Sequence, residues 1–121
     1  MARRKFSHNP RSDRATTAFA TAAEAWFWGM QCLAAQAEGA RFRADQSAVS
    51  RPCEPDDLLV SVEHMMRAGR LGAAHLRTLF GFGRRLAPPD PRCREEAQAA
   101  RLWDEALDRL TTTWRQKGIV A

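Results

Sequence analysis

Cysteine is scarce in this 121-residue chain: Cys32, Cys53 and Cys93 are odd in number, widely spaced and form no CxxC pair. That argues against a disulfide framework and makes reduced thiols and a cytoplasmic location the expectation. Long apolar runs are missing as well. No uncharged stretch approaches the ~20 residues of a membrane helix, so no membrane partner is expected. His8, His64 and His75 make no pair with each other or with a cysteine at metal-ligand spacing, which removes the usual reason to expect a metal. Gly81-Phe82-Gly83 lacks the third glycine and the preceding strand of a phosphate-binding loop, and no cofactor is expected. No alternating strand pattern of useful length and no internal repeat occurs.

Lysine is almost absent: 17 of the 19 basic residues are arginine. With 22 alanines, that bias fits a GC-rich coding sequence, but it does not explain where the charge sits. Residues 1–14 carry Arg3, Arg4, Lys5, Arg11 and Arg14 against Asp13, a net of +4 out of the whole chain's +5. This segment reads as a flexible basic arm over residues 1–15, ahead of a single domain over 16–121, a size that suits one core. Arg3-Arg4-Lys5-Phe6 looks like a twin-arginine export signal, but polar residues follow where an apolar region should begin, so export is not expected. From Arg67 to Arg94 seven arginines face one acid, Asp90. From Glu95 to Leu110 five acids outweigh two arginines. Such asymmetry draws nucleic acid or an acidic protein surface.

Helical spacing accounts for most of the domain. Thr21 and Glu24 stand at capping-box spacing before Ala23, Phe27, Met30, Ala34 and Ala37, predicting a helix from Thr21 to about Arg41. Asp45 to Pro52 reads as a loop. Pro55-Asp56-Asp57 opens a second helix with proline and two carboxylates in its first turn, and Gly69 closes it. A third helix is expected over about Gly72 to Phe82, frayed by Gly81 and Gly83. After Pro88-Pro89-Asp90-Pro91 a last helix runs from Pro91 to about Lys117, with Leu102, Trp103, Leu107, Leu110 and Trp114 inward and Gly118 ending it. The expected fold is all-α, a compact cluster of about four helices.

Candidate chemistry is thin. Cys93, between Arg92 and Arg94 at a helix start, has surroundings that favour a thiolate, but no general base stands near it in sequence. Asp56/Asp57 and Glu95/Glu96 read as first-turn carboxylates. An enzyme is not expected. Three successive aromatics, Trp26-Phe27-Trp28, cannot all face one core at ~100° per residue, so Trp26 and Trp28 are candidate partner-binding anchors unless a later segment covers them. The second and third helices, joined by a short turn, have the form of a helix–turn–helix pair. Arg70, Arg77, Arg84 and Arg85 are placed around that pair for phosphate contact, with Arg3, Arg4 and Lys5 in the arm.

The blocks Gly69-Arg70-Leu71-Gly72-Ala73-Ala74-His75-Leu76-Arg77, Phe82-Gly83-Arg84-Arg85 and Pro88-Pro89-Asp90-Pro91-Arg92, with Leu102-Trp103-Asp104-Glu105-Ala106-Leu107, resemble small uncharacterised helical proteins of GC-rich bacteria. The helix–turn–helix block is also similar to phage antitermination-type regulators. Neither resemblance brings a catalytic or binding residue with it. The expected function is a non-enzymatic, nucleic-acid-associated regulator linked to transcription, with DNA or an acidic surface of a larger machine as partner. The alternative is a helical interaction adaptor or homodimer that binds no nucleic acid.

Overall fold

The computed structural model describes residues 16–39 and 50–121. Among the described residues four α-helices follow one another: α1 (Ala22–Ala37), α2 (Pro55–Arg67), α3 (Ala73–Arg85) and α4 (Ala97–Gln116), with a 3-10 turn at Arg94–Glu96. The fold is all-α. Among the described residues the only β-type pairing is an isolated parallel bridge between Phe19 and Val120. Phe19 N–H donates to the Ile119 carbonyl and Ala121 N–H to the Phe19 carbonyl, both at 2.9 Å, so residues just before α1 are tied to those just after α4. Among the described residues no helix is long and apolar enough to cross a membrane.

Helix starts follow side-chain chemistry. Thr21 Oγ1 accepts from Glu24 N–H at 3.1 Å, satisfying one orphan amide of α1, and Glu24 reaches back to Ala20 N–H at 2.7 Å. Asp57 does the same for α2, accepting from Glu54 N–H at 2.8 Å. The turn after α2 is set by Gly69, whose φ of 77° lies where a Cβ is disfavoured. There Arg70 N–H returns to the Met65 carbonyl and Gly69 N–H to that of Met66, which closes the helix end. Leu71, next along, drops into the core.

α1 packs on all three other helices, and α3 and α4 pack closely on each other. The core gathers Phe19, Trp26, Leu58, Val62, Leu79, Trp103, Leu110 and Trp114. Two indoles make a buried bond across helices: Trp26 Nε1 donates to the Leu79 carbonyl at 2.8 Å and Trp114 Nε1 to Ser61 Oγ at 2.9 Å. A buried N–H needs such a partner, since desolvation without one costs about 1–3 kcal/mol. Two glycines permit the close approach of helices. A Cβ on Gly83 would lie 2.6 Å from Trp26 Nε1, and one on Gly29 would lie 2.8 Å from Leu58 Cδ1.

Three expected boundaries move. α1 ends at Ala37, with Gly39 in the left-handed region beyond it. α3 continues to Arg85 because Gly83 is held against Trp26 and so does not fray. α4 begins at Ala97 and not at Pro91: Asp90 and Glu96 fold the intervening residues into a turn, Asp90 accepting from Arg92 N–H and Glu96 from Asp90 N–H.

Candidate nucleic-acid interface

The extension of α3 decides where its arginines stand. At 100° per residue, Arg77, Gly81 and Arg84 lie within about 60° of one another around the helix, on its outer line, and both arginines are exposed. The opposite side carries Leu79, Thr78 and Gly83 into the protein. Arg84 and Arg85 thus belong to the helix and do not trail it. They fall in its last turn, where cations complement the negative end of the dipole.

The cations differ in how far they are engaged. The Arg85 guanidinium lies 3.8 Å from Glu96 and 4.8 Å from the Phe82 ring centroid. Arg84 stands over Phe80 at 5.8 Å. Arg70, Arg77 and Arg84 form no ion pair with any described residue. No Asp or Glu occurs between Glu63 and Asp90 to neutralise them locally. The backbone of Arg70 is fixed from α4, since Arg109 Nη1 donates to its carbonyl at 3.0 Å. This brings a further cation from the acid-rich segment to the edge of the basic surface. Sequence spacing gave no sign of Arg109, because the contact spans 39 positions.

The start of α3 is differently equipped. His75 Nδ1 accepts from Gly72 N–H at 3.0 Å, which fixes the tautomer with its proton on Nε2. That proton is donated to Glu105 Oε1 at 2.9 Å and holds the Glu105 carboxyl below the usual carboxylate range. Gly72, Ala73 and Ala74 complete this end. In a helix–turn–helix reader the first residues of the second helix reach the base edges. On α3 they are small, tied up, and next to a carboxylate. α2 also packs on α1, while α3 packs on α4 and α1. The short turn is present, but of the four arginines Arg84 and Arg85 sit at the opposite end of α3 from the one a major-groove reader would use, while Arg70 precedes the helix and Arg77 stands in its first half.

The remaining candidates fall as follows. Arg3, Arg4 and Lys5 lie outside the described residues. Trp26 is fully buried, with Phe80 edge-on at 5.2 Å, so its ring has no face left for a partner. Trp28 is half-buried against Phe19 at 5.2 Å, and Phe27 stacks on Trp103 at 5.5 Å. Segments before and after the aromatic triplet thus cover Trp26 fully and Phe27 and Trp28 in part. Cys93 donates its S–H to Glu95 Oε1 at 3.3 Å. Burial, with Asp57 and Glu54 nearby, pushes the Cys53 thiol up to about 12, and burial raises Cys32 likewise. Among the described residues no three His, Cys, Asp or Glu side chains gather to hold a metal. No family model, curated protein or solved structure matches the chain.

Proposed function

We propose that the protein is a non-enzymatic, nucleic-acid-associated regulator of a DNA-linked process such as transcription, and that α3 is its contact surface. The observation that carries this reading is the exposed line of Arg77 and Arg84 with Arg70 at its foot, none of them paired with a described carboxylate. Unpaired, exposed guanidinium groups on one helix face attract phosphates, and Arg suits their planar, bidentate recognition better than Lys does. The basic arm, with Arg3, Arg4 and Lys5, adds charge of the same sign.

Binding of labelled DNA across ~50 to 300 mM salt tests the reading. Affinity should fall steeply with salt, and the double variant Arg77→Glu/Arg84→Glu should bind at least tenfold more weakly. Unchanged affinity in that variant would remove α3 from the interface.

An adaptor or homodimer is the second reading. It is supported by Leu86, which is 46% exposed immediately after Arg85 and adopts a left-handed φ of 56°. Sedimentation over a range of concentrations separates it from the first, since a strict monomer would count against self-association.

A further inference from the structure

Among the described residues nothing requires Gly81 to be glycine. A Cβ there would meet nothing within 4 Å, and its φ is not in the left-handed region. Mid-helix glycine is less favourable than alanine, and the neighbouring Gly83 shows what an internal reason looks like, with Trp26 and Met30 both under 3.0 Å from its would-be Cβ. The helix backbone is therefore bare at the centre of the outer line, with Arg77 one turn before it and Arg84 one turn after. On either side of that line stands a half-buried ring under a guanidinium: Phe80 beneath Arg84 on the α1 side, and Phe82 beneath Arg85 on the side of Trp103.

We infer that the outer surface of α3 takes single-stranded nucleic acid, with its backbone lying across Gly81 between Arg77 and Arg84 and its bases stacking on the Phe80 and Phe82 sides. This rests on the reading of α3 as a nucleic-acid surface and adds the state of the strand. A duplex offers base edges, which demand hydrogen-bonding side chains at the start of the helix. There α3 has Gly72, Ala73 and Ala74, and His75 has both ring nitrogens engaged. A single strand offers base faces, which aromatic rings and guanidinium planes bind with little regard to sequence. Its phosphates need cations on a line without carboxylates. The two described acids that reach α3, Glu105 and Glu96, lie at its two ends and leave the middle of the outer line clear.

The test compares the full chain's affinity for labelled oligo-dT of about 15 nucleotides, oligo-U of equal length, and the matching dT·dA duplex, at one low salt concentration. Both single strands should bind on the order of tenfold tighter than the duplex. Phe80→Leu keeps apolar volume but removes the ring, and should weaken single-strand binding about fivefold while leaving duplex binding unchanged. Gly81→Gln projects into open space, so it should raise the melting temperature and still weaken single-strand binding. This second variant keeps the test decisive if Phe80→Leu unfolds the protein. Tighter oligo-U binding would assign RNA, and tighter oligo-dT binding would assign DNA. Equal or tighter duplex binding would overturn the strand preference and leave the wider reading standing. If no polynucleotide binds, both fall, and the surface passes to an acidic protein partner.

Discussion

The inward and outward faces of α3 obey different rules, and two glycines two residues apart show it. Gly83 is demanded by the core, because the Trp26 indole occupies the place of its side chain. Gly81 faces open space. Beside the first, polar groups find partners within the chain: the Trp26 N–H bonds to the Leu79 carbonyl and Thr78 Oγ1 donates to that of Ala74. Around the second, Arg77 and Arg84 have no described carboxylate partner. The proposed function is placed on the face whose composition packing does not explain.

The sharpest way to break this contrast is to add the same methyl group to each glycine. Gly83→Ala forces a Cβ into Trp26 and Met30 and should destabilise by about 2 kcal/mol, as overpacked cores do. Gly81→Ala should stabilise by about 0.5–1 kcal/mol through helix propensity alone. Urea melts read both, and equal effects of the same sign would erase the distinction. Trp114→Phe leaves the Ser61 hydroxyl buried without its indole donor and should lose about 2 kcal/mol. Adding Ser61→Ala should recover part of that loss, because the orphaned hydroxyl is then gone.

At the C-terminal end of α3, Leu86→Gly should relieve the left-handed strain and stabilise by about 1 kcal/mol. No change would mean that contacts of the leucine side chain offset the strain. The smallest effect near neutral pH comes from Cys53. Its thiol is raised from 9.0 to about 12 in the folded chain, so it stays protonated there while the unfolded chain ionises. The stability linked to it is fully present below pH 9 and is lost as pH rises towards about 12. Cys53→Ser should flatten the fall of the melting temperature over that alkaline window.

Much of the fold was legible in the sequence because caps and periodic stripes are local. Thr21, Pro55 and Gly69 mark helix ends by chemistry that acts within a few residues. What failed was non-local. Gly81 and Gly83 look alike in sequence and suggest fraying, yet a contact with α1 holds Gly83 in the helix and carries α3 on to Arg85. The Trp26-Phe27-Trp28 triplet proclaims a conflict without saying which ring is covered, and only the packing of α3 on α1 buries Trp26. The bridge of Phe19 to Val120 joins residues too few to leave an alternating pattern. For the candidate site, the arginines could be read from charge counting. The roles proposed for Phe80, Phe82 and Gly81 depend on their placement around the helix axis, which charge counting does not give.

The most direct test of the central claim is the salt dependence of single-stranded DNA binding by the wild type and by Arg77→Ala/Arg84→Ala. If these two arginines neutralise phosphates, removing both should lower the slope of log affinity against log salt by about 1.4, at ~0.7 per phosphate contact. Affinity should fall with it, and the melting temperature should stay close to that of the wild type. An unchanged slope and affinity in the folded variant would contradict the assignment of α3 as the interface.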